Sequence, residues 1–153
     1  PLYLSSNFAF GEFETSQQYE YSRTSNPTRE VLADTIAKLE GGVGAVVTSS
    51  GMSALHLVLS SLKVGDRVVA PHDCYGGTHR LLTSLRDKGQ LTLDFVDQTD
   101  PEALRAALGQ DTALVLVETP SNPLMRVVDI QKVARIAKEA GSKLAVDNTF
   151  LSL

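Results

Sequence analysis

Ala113-Leu114-Val115-Leu116-Val117, followed directly by Glu118-Thr119-Pro120-Ser121-Asn122, is the stretch on which the fold turns. Five apolar residues without polar alternation fit a strand covered on both faces, which is how strands of a parallel sheet read. The flanks repeat the pattern with helices between. Upstream, Asp100-Pro101 opens a helix with an N-cap aspartate and a proline at the first helical position, and a strand is expected over Leu91 to Val96. Downstream, Asp129 caps a helix whose Ile130, Val133, Ala134 and Ala137 share one face; Gly141 stops it, and Leu144-Ala145-Val146 forms the last strand. Toward the N-terminus the series continues with a helix over about 78–88, the strand Arg67-Val68-Val69-Ala70 closed by Pro71, and an apolar helix from Met52 to about Leu62. Ala45-Val46-Val47 reads as another short buried strand, and Asn26-Pro27 starts a helix in which Leu32, Ile36 and Leu39 align before Gly41-Gly42 ends it. Alternating strands and amphipathic helices predict an α/β fold: a mostly parallel sheet with helices on both faces, joined by βαβ crossovers.

The 153 residues, 42% hydrophobic with a net charge of -4 from 14 Lys+Arg and 18 Asp+Glu, suit one core-forming domain of ordinary size. That balance carries no basic excess for a nucleic-acid partner. The run from Ala113 to Val117 is far too short to span a membrane, and the first basic residue, Arg23, comes too late for a secretory leader. The single cysteine, Cys74, excludes an intrachain disulfide and suits a reducing, cytoplasmic setting.

Open parallel sheets bind ligands outside the carboxyl ends of their strands. By that rule Thr48-Ser49-Ser50-Gly51, His72-Asp73-Cys74-Tyr75, Asp97, Glu118-Thr119-Pro120-Ser121-Asn122 and Asp147-Asn148-Thr149 converge on one rim. Two readings of Ser49-Ser50-Gly51-Met52-Ser53 stand side by side. It is an anion site, with helix N–H groups facing a phosphate and Gly51 allowing close approach, or a plain turn of small residues. Asp147 is likewise either a turn or cap aspartate, or a rim carboxylate that needs a cationic or donor partner such as a protonated pyridine nitrogen.

Several familiar chemistries lack their residues. Gly42-Val43-Gly44 precedes its expected strand and has no third glycine, so it is no dinucleotide fingerprint; no lysine follows Gly51 as a nucleotide-phosphate loop requires. Ser50-Gly51-Met52-Ser53-Ala54 is not a nucleophile elbow. His56, His72 and His79 have no metal-ligand spacing, and Asp73 beside Cys74 would raise the thiol pKa, so that cysteine reads as structural.

Tyr21-Ser22-Arg23 with Asn26-Pro27-Thr28, then Ser50 to Ala54, Asp73-Cys74-Tyr75-Gly76-Gly77, Glu118 to Pro123 and Val146-Asp147-Asn148-Thr149-Phe150 form an ordered set spanning nearly the whole chain. With it the chain resembles the pyridoxal-phosphate-dependent enzymes of Cys/Met metabolism. Within that family, Ala70 to Gly77 and Leu124 to Asp129 are most similar to the bacterial cystathionine γ-synthases. The resemblance implies an aspartate-aminotransferase-like (fold type I) large domain, here incomplete, with residues 1–25 as a subunit-contacting segment and 26–153 as the first part of the cofactor domain. It implies pyridoxal 5'-phosphate as cofactor, with its phosphate on the Gly51 and Met52 amides. Tyr75 would stack on the pyridine ring and Asp147 would pair with its nitrogen, the two catalytic residues. Asn122 would lie near the ring hydroxyl or the substrate carboxylate, and Thr149 among the cofactor contacts.

The same resemblance implies a homotetramer in which Tyr21 and Arg23 reach a neighbour's cofactor phosphate, and amino-acid substrates. The reaction implied is γ-replacement, joining O-succinylhomoserine or another O-acylhomoserine to cysteine. A cystathionine lyase, a methionine γ-lyase, an O-acylhomoserine sulfhydrylase and a non-catalytic binding or assembly module are the alternatives. The family attaches its cofactor through a lysine beyond the aspartate that matches Asp147, outside these 153 residues. None of the six lysines here substitutes: Lys63 and Lys88 sit at helix ends, Lys38, Lys132 and Lys138 within helices, and Lys143 begins the last strand. That start lies about 13 Å from Asp147 at ~3.3 Å per residue. The 153 residues alone are therefore expected to be inactive.

Overall fold

The computed structural model describes residues 1–13, 15, 17–109 and 111–151. Two compact units divide the chain, Pro1–Ser49 and Ser50–Ser152. In the first, helix α1 (Pro27–Leu39) begins as its sequence predicts. The Asn26 side chain accepts from the Thr28 N–H at 2.9 Å and donates to Ser22 Oγ and the Tyr3 carbonyl. Gly41, at φ +63°, turns the chain so that the Gly42 N–H returns to the Ala37 carbonyl at 2.8 Å, a left-handed close that glycine makes without steric cost.

Ala45-Val46-Val47 is not a strand. The segment makes no ladder with any described residue, and Val46 is 72% exposed. An apolar run suits a strand but does not supply the neighbour whose hydrogen bonds define one. The small-residue turn at 48–51 therefore leads into a helix without following a strand.

The second unit holds α2 (Gly51–Ser60), β1 (Arg67–Pro71), α3 (Gly76–Asp87), β2 (Thr92–Val96), α4 (Pro101–Ala107), β3 (Thr112–Glu118), α5 (Ile130–Glu139) and β4 (Lys143–Asp147). The strands form one parallel sheet in the order β2-β1-β3-β4. Pro71 is the last residue of β1 and not, as expected, the residue beyond it. Along the strands, side chains alternate between two cores. Val68, Ala70, Leu114 and Leu116 pack with Leu59 of α2 and Leu82 of α3, whereas Val69, Val115 and Val117 pack with Leu104 of α4 and Val133, Ile136 and Ala137 of α5. The helices thus cover both faces, which is why β3 could be apolar at every position from Ala113 to Val117.

Leu82 and Leu104 are fully buried, one on each face. Truncating either to alanine is expected to cost about 2–5 kcal/mol, through lost apolar burial plus the cavity left behind. Denaturant midpoints check this, with the 66% exposed Leu39 as a control whose truncation moves the midpoint little.

Candidate functional site

Because β1, β3 and β4 are neighbours and parallel, the loops leaving their carboxyl ends meet at one end of the sheet, around a cavity of about 290 Å³. Its wall takes Gly51 and Met52 from the start of α2 and Tyr75 from the residue capping α3. Glu118 comes from the end of β3, Asn122 from the loop after it, and Asp147 and Thr149 from the end of β4 and just beyond. Six of the residues expected from sequence, Gly51, Met52, Tyr75, Asn122, Asp147 and Thr149, are thereby brought together. Among the described residues no lysine lines this cavity.

At the start of α2 the Ser50 side chain caps the helix by accepting from the Ser53 N–H at 3.1 Å. The Gly51 and Met52 N–H groups, which a helix cannot satisfy internally, have no acceptor among the described residues. A Cβ built on Gly51 would meet no atom within 4 Å, so this backbone faces open space. Free donors, the positive end of the helix dipole and an unobstructed front suit an anion of phosphate size.

Asp147 combines both of its sequence readings. Its Oδ1 accepts from the Thr149 N–H at 3.1 Å and the Thr149 hydroxyl at 2.5 Å, a turn aspartate, while the residue also lines the cavity. Its Oδ2 accepts no hydrogen bond from the described residues. Tyr75, 45% exposed, lies over Gly77: a Cβ there would stand 2.4 Å from Tyr75 Cε1 and 3.1 Å from Met52 Sδ. The missing side chain at Gly77 is what lets the ring lie there. A carboxylate, a helix start with unpaired N–H groups and an aromatic ring thus line one cavity, a set of groups that suits a phosphorylated pyridine.

Glu118 received no separate role from the sequence, although the argument that singled out Asp147 applied to it. It too is an acidic residue ending an apolar strand, and it faces Asp147 in the β3–β4 register. It is 5% exposed; Oε2 accepts from the Tyr75 N–H at 2.8 Å and Oε1 from the Asn122 N–H at 2.7 Å. Burial pushes its carboxyl above the ordinary range, those two N–H groups pull it back, and the Asp147 and Asp73 carboxylates raise it further.

Other rim residues have different work. Asp97 accepts from Thr99 and pairs with Arg126 at 3.3 Å, and neither it nor His72 lines the cavity. Cys74 is buried and its thiol is pushed up to about 11, first by burial, then by Glu118, with the sequence neighbour Asp73 contributing least. At pH 8 a pKa of about 11 leaves about a hundredfold less thiolate than the ordinary thiol value of 9.0. Iodoacetamide should therefore alkylate Cys74 at least a hundredfold more slowly in the native protein than after unfolding, as timed by intact mass.

Tyr21 and Arg23 belong to the Pro1–Ser49 unit. There Tyr21 pairs antiparallel with Asn7, and the Arg23 guanidinium lies 5.0 Å from the Tyr21 ring centroid, a cation–π contact. Among the described residues no helix is long and apolar enough to cross a membrane.

The chain belongs to the Cys/Met metabolism PLP-dependent enzyme family, which it matches over residues 1–153; the cofactor of that family is pyridoxal 5'-phosphate. It is 56% identical over 153 residues to the cystathionine γ-synthase of Escherichia coli K12, covering 99% of this chain and 40% of that protein. To a cystathionine β-lyase of Lactococcus lactis it is 43% identical over 150 residues, covering 98% and 40% respectively. The crystal structure of cystathionine γ-synthase from Xanthomonas oryzae pv. oryzae in complex with aminoacrylate and cysteine superposes with a TM-score of 0.95 at 51% identity, over 99% of this chain and 40% of that one. The chain thus spans about 40% of the length of these relatives.

Within that family the Gly77 contact becomes testable. Gly77→Ala in the protein at the length of its relatives should displace the Tyr75 ring, which is half exposed and free to move aside, and so leave folding intact. On the expectation that the Tyr75 ring stacks on the cofactor, losing a stack of about 0.5–1.5 kcal/mol predicts pyridoxal-phosphate affinity lower by up to about tenfold, measured by equilibrium titration.

Proposed function

We propose that this chain is part of a pyridoxal-phosphate-dependent transferase that joins an O-acylhomoserine, O-succinylhomoserine first among them, to cysteine by γ-replacement, giving cystathionine. The observation that carries the cofactor half of this reading is the meeting of Asp147, the open start of α2 and Tyr75 around one cavity. The transferase half is supported by 56% identity to a cystathionine γ-synthase against 43% to a cystathionine β-lyase.

Bound in this cavity, pyridoxal phosphate supplies an electron sink for charge developing at the substrate Cα. The residues of this chain bind and orient. The Gly51 and Met52 N–H groups would hold the phosphate, and the Tyr75 ring would stack on the pyridine. The Thr149 amide and hydroxyl fix Asp147 through Oδ1, leaving Oδ2 to hold the proton on the pyridine nitrogen. Asn122 would meet the ring hydroxyl or the substrate carboxylate. Residues 1–25 make subunit contacts in a cytoplasmic homotetramer, with Tyr21 and Arg23 serving a neighbouring site.

Turnover of the protein at the length of its relatives tests this reading, with O-succinylhomoserine plus cysteine in one arm and cystathionine alone in the other. Cystathionine formation in the first supports the transferase. Cleavage in the second without synthesis in the first makes it a lyase, and no uptake of pyridoxal phosphate overturns the cofactor assignment.

A further inference from the structure

We propose that Glu118 is a positioning residue, whose carboxylate bridges the backbone N–H groups of Tyr75 and Asn122 and so sets where both side chains stand in the cavity. The inference deepens the pyridoxal-phosphate reading above and rests on it. Glu118 ends β3 with its side chain buried, and its two oxygens serve two different loops: Oε2 takes the Tyr75 N–H at 2.8 Å, and Oε1 takes the Asn122 N–H at 2.7 Å. Tyr75 needs this partner. Its N–H finds no backbone acceptor among the described residues and is bound by the Glu118 carboxylate. The Glu118 contact fixes the backbone from which the ring departs, and the missing side chain at Gly77 leaves the ring its room.

Chemistry restricts the residue type. The two N–H groups meet two different oxygens of the side chain; both positions accept in a carboxylate, whereas an amide has an acceptor at only one of them. Glutamine has the same shape but must turn its NH2 toward one donor, so Glu118→Gln releases one of the two loops. Aspartate keeps the charge but is shorter by a methylene and cannot span both.

A merely structural tie between these loops exists alongside, and it provides the control. The Ser121 hydroxyl donates to Asp73 Oδ2 at 2.7 Å and accepts from the Arg126 N–H at 3.3 Å, joining the same loops without bonding the Tyr75 or Asn122 amides. Ser121→Ala should loosen the loops without redirecting either cavity side chain.

The experiment uses the protein at the length of its relatives. Hydrogen–deuterium exchange without added cofactor reads the amides of Tyr75 and Asn122 directly, and visible circular dichroism after adding pyridoxal phosphate reads how the ring is held. In Glu118→Gln, exchange at one of the two amides should rise at least tenfold and the dichroic band should change. In the assay that the proposed function supplies, kcat should fall about ten- to hundredfold with KM little changed, as misplacement by about 1 Å predicts. Ser121→Ala should keep the wild-type band and kcat. If Glu118→Gln does not fold, Glu118→Asp is read by the same three measurements. Wild-type exchange at both amides together with a wild-type band overturns the positioning role alone. The same losses in Ser121→Ala overturn it too, because loop stability would then explain them. A wild-type protein that takes up no pyridoxal phosphate overturns the functional reading, and the positioning role with it.

Discussion

Asp147→Asn, made in the protein at the length of its relatives, is expected to lower turnover at least ten- to hundredfold while leaving the fold intact. The reasoning separates the two oxygens. Oδ1 accepts from the Thr149 N–H and hydroxyl, and an asparagine Oδ1 accepts in the same way, so the turn that ends β4 survives. What disappears is the negative charge at the other oxygen, the one proposed to hold the pyridine proton. A hydrogen bond to a charged group contributes about 1.5–3 kcal/mol, which gives the expected factor, and more is lost if the charge matters most in the transition state. Cofactor uptake should persist through the start of α2 and Tyr75. Steady-state kinetics beside a cofactor titration check both halves; near-normal turnover with normal uptake would remove Asp147 from the chemistry.

Mixing subunits should restore activity that neither parent has. Arg23 carries a guanidinium whose fork geometry matches two phosphate oxygens, and in its own unit that group rests against Tyr21 with no carboxylate partner among the described residues. If Arg23 serves a neighbour's phosphate, Arg23→Ala and Asp147→Ala damage the same site from different chains. In an equal random mixture, half the pairs are hybrid and each hybrid holds one site with both wild-type residues, so activity should recover to about a quarter of wild type. Native mass spectrometry verifies the hybrids. Hybrids without recovered activity return Arg23 to an ordinary surface role.

Features written into contiguous residues were legible in the sequence. Asn26-Pro27 and Asp100-Pro101 both cap helices as local chemistry dictates, and the doubly covered strand at Leu114 to Val117 reported the two-faced sheet. Ala45-Val46-Val47 misled because a strand is a relation between segments, and hydropathy describes only one of them. Tyr75, Asn122, Asp147 and Thr149 were found because strand ends in a parallel sheet share a rim, a rule of topology that needs no distances, whereas Gly51 and Met52 follow no strand and were reached through the motif Ser50 to Ala54. The bridge made by Glu118 was not legible, since its amide partners carry no side-chain signature and one of them lies 43 positions away. Cys74 was read as structural on the strength of Asp73, a minor cause of its raised thiol pKa; burial, which dominates, depends on packing that no single neighbour in sequence reveals.

The uncapped start of α3 bears on how the protein assembles. Tyr75 obtains its amide's acceptor from Glu118 across a loop whose closure costs on the order of 3 kcal/mol of chain entropy. One hydrogen bond cannot offset that, but the pairing of β1 with β3 closes the same loop for its own reasons, with Val68 opposite Leu114 and Val69 opposite Val115. The contact order of the site is therefore that of the central strand pair. In refolding followed by pulse-labelled exchange, the Tyr75 amide should gain protection together with Val115 and Val117, and later than the middle of α3, so that the cavity wall appears as a by-product of completing the sheet.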